Sequence, residues 1–159
     1  MRILVAYYSW KGHTETVAKE LATRLNAPLV RIEPRNDPGP GMAGKAMKAL
    51  FGMRSAIKPM KTDLADIDHL VVATPVWAGN MPPFTREYLA ELTNTQGKKF
   101  SVLAEMGGSG ADRVISSVRT MLERKGMQFV ASAQTIEKDV EAGNVTATLD
   151  TFTRQIQTG

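Results

Sequence analysis

Apolar and polar positions fall in blocks along this chain, and the period changes from one block to the next. "RILVAYY" (Arg2 to Tyr8) is apolar after its first residue, the mark of a strand covered on both faces. It gives way to Val17, Ala18, Leu21, Ala22 and Leu25, which share one face of a helix. "LVRI" (Leu29 to Ile32) predicts a short second strand, and "HLVVAT" (His69 to Thr74) a third, ended by Pro75. His69, placed just ahead of an apolar run, reads as a surface residue. A helix is predicted from near Pro83, whose fixed φ suits a first turn, to about Leu92. "FSVLAE" (Phe100 to Glu105) predicts the fourth strand. The next helix carries Val114, Ile115, Val118, Met121 and Leu122 inward and stops at Gly126. "MQFVASA" (Met127 to Ala133) predicts a fifth strand, and Val145, Leu149, Phe152 and Ile156 the inner face of a last helix.

Five strands alternating with helices imply right-handed crossovers and a parallel sheet covered on both sides, an α/β fold. The 159 residues suffice for one domain, spanning residues 1–159. In such sheets ligands bind beyond the carboxyl ends of the strands, where the strand order reverses. The loops after strands one, three and four therefore matter most: "SWKGHT", "PVWAGNMP" and "EMGGSGAD".

Composition narrows the chemistry. Hydrophobic residues make up 43% and charged residues 23%, as in a globular chain. There is no cysteine, which excludes disulfides, thiolate nucleophiles and cysteine-held clusters. With two histidines, His13 and His69, no metal site is expected. The first apolar run is too short for a secretory signal and no run reaches membrane-spanning length, so a cytoplasmic protein is expected.

The net charge of +4 is concentrated in one stretch, since Arg35 to Lys61 holds six basic residues against one acid. Within it Met42, Ala46, Leu50, Met53 and Ile57 recur at helical spacing, which predicts a helix over Gly41 to Lys61 with a solvated basic side. The alternative is a docking patch for an acidic partner, a phosphate-bearing substrate or an anionic membrane surface. The patch has no interleaved aromatics, which argues against nucleic acid. "GPGMAGKA" (Gly39 to Ala46) approaches a P-loop but ends in Ala46, where magnesium needs a hydroxyl.

The three loops carry distinct chemistry. The first leads into a helix, whose opening amides lack internal partners and lie at the positive end of the dipole. Gly12 permits close backbone approach there, while Ser9, Thr14 and Thr16 offer hydroxyls and Lys11 or His13 charge. These are the parts of an anion site, or of an ordinary helix start capped by Thr14. In the second loop Trp77 either packs on its own domain or stacks on a flat ring, and Gly79 gives the loop a peptide free to turn over. In the third, "GGSG" (Gly107 to Gly110) offers bare backbone to a ligand edge.

In this order and spacing the loops resemble those of the flavodoxin-fold FMN-binding family, over nearly the whole chain. "YYSWKGHTET" resembles its phosphate loop, in a form closest to the NAD(P)H:quinone oxidoreductase-like branch; "TPVWAGNMPP" resembles the loop whose Trp covers the flavin; "EMGGSGADRV" resembles the loop that holds the pyrimidine end. The resemblance implies a flavodoxin-like three-layer sandwich, with a five-stranded parallel sheet in the order 2-1-3-4-5 and helices on both faces. It implies that Ser9, Trp10, Lys11, Gly12, His13 and Thr14 bind the FMN phosphate. Pro75, Val76, Trp77, Ala78 and Gly79 would line the ring, with a peptide near Ala78–Gly79–Asn80 sensing the protonation of N5. Glu105, Met106, Gly107, Gly108 and Gly110 would hold the pyrimidine edge, mainly through backbone.

It implies no catalytic side chain, since the chemistry belongs to the flavin. The third loop has no aromatic, only Met106 beside its glycines, so one flavin face is expected to be open to a nicotinamide or a quinone. Three readings follow: a flavodoxin-like redox protein moving electrons between protein partners; an FMN-dependent NAD(P)H:quinone oxidoreductase; and a flavin-free interaction module. A monomer and a homodimer both fit.

Overall fold

The apolar run at the start of the chain forms β1 (Ile3–Tyr7), buried at all five positions. In the computed structural model, which describes residues 1–36 and 52–159, it is followed by α1 (His13–Leu25) and β2 (Leu29–Arg31). β3 (His69–Pro75), α2 (Pro83–Glu91), β4 (Lys99–Met106) and α3 (Ala111–Arg124) come next. β5 (Gln128–Ile136), the five-residue α4 (Glu137–Glu141) and α5 (Thr146–Thr158) complete the described elements.

The strands pair in the order β2-β1-β3-β4-β5, all parallel, as the resemblance implies. Side chains alternate across a strand, so each strand feeds two cores. Ile3, Val5 and Tyr7 meet Val17, Leu21, Leu149 and Phe152 on one face. Leu4, Ala6 and Tyr8 meet Phe84, Leu89, Val114 and Val118 on the other. Leu149, Phe152 and Ile156 are fully buried, and each stabilises the sandwich by about 1.5–3 kcal/mol.

β2 lies on one side of β1 and β3 on the other, so the chain order reverses between β1 and β3. That reversal opens a crevice at their carboxyl ends, where the first and second loops begin.

Three expectations are corrected. His69 is not on the surface; it is fully buried, and its Nε2 lies 2.9 Å from Ser101 Oγ. It opens a central strand, flanked by Ile3 of β1 and Lys99 of β4, so neighbouring strands cover it. β5 runs to Ile136 rather than Ala133, since as an edge strand it alternates exposed Ser132 and Gln134 with buried Ala133 and Thr135.

The third concerns the helix over 41–61. Its residues 41–51, with the near P-loop at 39–46, lie outside the described residues, and residues 53–61 are not helical. Ile57 forms an antiparallel bridge with Pro34, with Arg35 N–H donating to Ala56 O at 3.0 Å and Lys58 N–H to Glu33 O at 2.8 Å. The bridge buries Ile57 and leaves Met53 exposed. Their spacing of four therefore reflects no shared helix face.

Candidate cofactor site

The first loop joins β1 to α1 through Gly12, which sits at φ 101° and precedes the helix with no side-chain cap. Thr14 is therefore not the cap. It lies inside the first turn, 1% exposed, and its hydroxyl donates to Glu105 Oε2 at 3.3 Å. Ser9 Oγ accepts the Gly12 N–H at 3.1 Å, which tightens the loop. Thr16 turns away, donating its hydroxyl to Gly12 O at 3.0 Å. The result is a helix start at which a left-handed glycine replaces a capping side chain and open space faces its Cα. Uncapped opening amides at the positive end of a helix dipole suit an anion.

The second loop is a two-residue turn. Trp77 and Asn80 exchange backbone hydrogen bonds at 2.8 and 2.9 Å, and both residues between them have positive φ, 49° at Ala78 and 73° at Gly79. The Asn80 side-chain amide donates to Ala78 O at 3.0 Å, which fixes that carbonyl. Trp77 itself is 2% exposed and packs against Tyr8, Trp10 and Phe84 at centroid distances of 5.5, 5.9 and 6.2 Å. This indole packs on its own domain while also lining the cavity described below, and the half-buried Trp10 is the more accessible of the pair.

The third loop leaves β4 beside the second. Val76 N–H donates to Glu105 O at 2.9 Å. A Cβ on Gly110, at φ 96°, would come within 2.9 Å of both Gly79 Cα and Val76 Cγ1, so the loops meet at a contact made for glycine. Gly107 and Gly108 are exposed on the rim.

Glu105 departs most from expectation, because its side chain faces the first loop. It is 6% exposed, Oε2 accepts from Thr14, and Oε1 has no partner among the described residues. Burial pushes its carboxyl above the ordinary range; His13, the Thr14 hydrogen bond and Lys11 pull it down, and Glu137 pushes it up.

α4 brings in two residues that sequence reasoning missed. His13 Nε2 lies 3.0 Å from Glu141 Oε1 and 3.6 Å from Glu137 Oε1, so the His13 side chain is turned to α4. The three ligand-type atoms lie within 4.8 Å of one another, and the hydrogen bond between His13 and Glu141 already joins two of the three residues. The four-residue spacing of Glu137 and Glu141 was the signal available, though a five-residue helix leaves little periodicity to read.

A cavity of about 190 Å³ opens among these loops. Ser9, Trp10, Lys11, His13, Thr14, Pro75, Val76, Trp77, Glu105 and Gly107 of the expected set line it, together with Glu137. Gly12, Ala78, Gly79, Gly108 and Gly110 belong to the same three loops without lining it, and neither does Met106 at the end of β4. A second cavity of about 400 Å³ shares Ser9 and Trp10, and adds Tyr8, Arg31, Glu33, Pro34, Arg35 and Lys58.

The family model for NADPH-dependent FMN reductase matches residues 1–141. The chain belongs to that family. Its fold recurs in solved structures of low identity. A flavoprotein from Lactobacillus acidophilus NCFM, solved in complex with FMN, has a TM-score of 0.73 at 16% identity, covering 89% of this chain and 97% of its own. The Streptococcus pneumoniae TIGR4 flavodoxin has a TM-score of 0.61 at 15% identity, with 99% of each chain covered. An NADH:FMN oxidoreductase in its apo form has a TM-score of 0.65 at 18% identity, covering 99% of this chain and 87% of its own.

Family membership makes FMN the cofactor and redox chemistry the function. The residues present fit such a group: an uncapped helix start suited to an anion, a bare glycine rim on a neighbouring loop, and a buried Glu105 oxygen with no partner among the described residues. No helix among the described residues is long and apolar enough to cross a membrane.

Proposed function

We propose that the chain is an FMN-dependent oxidoreductase that takes electrons from NAD(P)H and delivers them to a small flat acceptor of the quinone class. FMN, when bound, supplies the electron and hydride chemistry. The chain's own residues bind and orient it. The opening turn of α1 receives the phosphate, with Lys11 adding charge. Trp10 offers an indole at the cavity. Exposed backbone at Gly107 and Gly108 meets the pyrimidine edge, and the Ala78 carbonyl, held by Asn80, borders the ring.

The observation that carries the enzyme reading is the third loop. Gly107, Gly108 and Ser109 are exposed and no aromatic stands among them. A flavin bordered by bare backbone keeps a face for a nicotinamide and then for an acceptor, which a pure carrier does not need.

The test is turnover. Purified protein loaded with FMN is mixed with NADPH or NADH and a quinone, and nicotinamide absorbance is followed. Steady oxidation supports the enzyme. A flavin that neither nicotinamide bleaches, but that a reductase protein does, supports the second reading, an electron carrier between proteins. The cavity beside Trp10 favours that second reading, since Arg31, Arg35 and Lys58 line it against one acid, Glu33.

A further inference from the structure

We propose that Glu105 is the proton-carrying residue of the phosphate cradle: its carboxyl takes up one proton as FMN binds and, through Thr14, turns a hydroxyl proton onto the phosphate. The inference rests on the FMN reading of the site and assigns this side chain a role toward the phosphate end of the cofactor.

Thr14 has one hydroxyl proton and two candidate acceptors. In the structure that proton goes to Glu105 Oε2, 3.3 Å away. An ionised carboxylate has no proton to return, so Thr14 then shows only lone pairs to a bound phosphate. A protonated Glu105 reverses the chain. Its O–H donates to Thr14 Oγ1, and the Thr14 O–H is released toward a phosphate oxygen.

The surroundings favour this reversal. Thr14 is 1% exposed and Glu105 6%, and Oε1 has no hydrogen-bond partner among the described residues. A carboxylate held by one long hydrogen bond is poorly compensated, so burial favours its neutral form. The charged groups facing it do not cancel that preference. Lys11 from the first loop and His13 from α1 favour the anion, Glu137 from α4 opposes it, and burial outweighs each of them. His13 is in addition paired with Glu141 and Glu137. Glu105 and Thr14 line the same cavity as Ser9 and Lys11, so a phosphate there brings negative charge against Glu105 and drives protonation further. The balance is simple: one proton is taken from solvent per FMN bound, no covalent bond between heavy atoms changes, and nothing is oxidised or reduced.

The experiment is calorimetric titration of the apoprotein with FMN, from about pH 5.5 to about pH 8.5, in paired buffers of different ionisation enthalpy. Wild type is compared with Glu105→Gln, whose amide donates to Thr14 at every pH, and riboflavin serves as the phosphate-free ligand. The phosphate's own ionisation, near pH 6, enters both proteins alike.

The expected result is that wild-type affinity falls relative to Glu105→Gln by up to about tenfold per pH unit above the carboxyl's pKa in the apoprotein. Wild type also takes up close to one more proton, and riboflavin shows neither difference. Superimposable profiles for FMN overturn the inference while leaving FMN binding intact. Failure of wild type to bind FMN at any pH refutes the FMN reading and this inference together, whereas a loss of FMN binding confined to Glu105→Gln overturns the inference and leaves the FMN reading standing. If Glu105→Gln does not fold, infrared difference spectra of wild type decide: a protonated-carboxyl C=O band gained with FMN and not with riboflavin supports the relay, and its absence overturns it.

Discussion

The indoles of Trp10 and Trp77 meet edge to face, 5.9 Å between centroids and 76° between planes, and only one of them reaches the surface. Trp77 is 2% exposed and also touches Tyr8 and Phe84, so it belongs to the core as much as to the rim. Trp77→Ala is therefore expected to cost about 3–5 kcal/mol of stability, as large-to-small changes in cores do. Trp10→Ala should leave the fold largely intact and weaken FMN binding by about 3- to 10-fold, the loss of one stacking contact. Denaturant unfolding of the apoproteins and flavin fluorescence titration separate the two effects. A Trp77→Ala protein of full stability with a selective loss of flavin would return the stacking role to Trp77.

Gly110 stands where the second and third loops touch. A methyl group there meets Gly79 Cα and Val76 Cγ1 at 2.9 Å, and the backbone is left-handed at φ 96°. Gly110→Ala combines a clash with backbone strain, and a loss of about 1–3 kcal/mol is expected from these together. Because the loops must part to admit the methyl, FMN affinity should fall as well. Thermal melting and flavin titration of one preparation test both outcomes, and a variant melting like wild type would show that the contact yields freely.

The elements legible in the sequence were those whose pattern is local. β1, β3 and β4 are predominantly apolar because each is covered on both faces, and their loops stand out through glycine and hydroxyl content. What escaped depends on where an element sits. His69 opens a strand that turned out to be central. The end of β5 is polar at alternate positions because it lies at the sheet edge. Ile57 joins the core through a bridge to Pro34, which no helical period encodes. In the site, loop positions were readable but side-chain destinations were not. Glu105 reaches Thr14, 91 residues away in sequence, and His13 reaches Glu141, 128 residues away. Such pairings exist only once the sheet is assembled.

Ala78 is a test of the turn itself. It adopts φ 49° with a Cβ in place, and the left-handed region costs an L-residue about 1–2 kcal/mol. Ala78→Gly removes that cost but loosens the unfolded chain, which returns about 0.4–1 kcal/mol. The net expectation is a rise of up to about 1 kcal/mol, seen as a melting temperature about 2–4 °C higher. A lower melting temperature would mean that the Asn80–Ala78 hydrogen bond already relieves the strain.

His69 provides the clearest pH dependence. Its ring is fully buried against Ser101, its Nδ1 has no partner among the described residues, and burial, helped by Lys99, lowers its pKa from 6.5 to about 4. The native state thus binds the proton less readily than the unfolded chain does. The stabilisation is fully present above pH 6.5, is lost as pH falls through the window down to about 4, and changes no further below it. Across that window the loss is on the order of 3 kcal/mol. Glu105 works with the opposite sign, since a carboxyl raised by burial favours the folded state as pH falls. A comparison isolates the histidine: His69→Gln keeps a side-chain N–H near Ser101 but does not titrate. Denaturant unfolding of the two apoproteins should therefore show a steeper decline for wild type between about pH 6.5 and about pH 4, and parallel curves above it. Parallel curves throughout would mean that His69 takes up its proton as readily in the native protein as in the unfolded chain, and that its buried position does not keep it neutral.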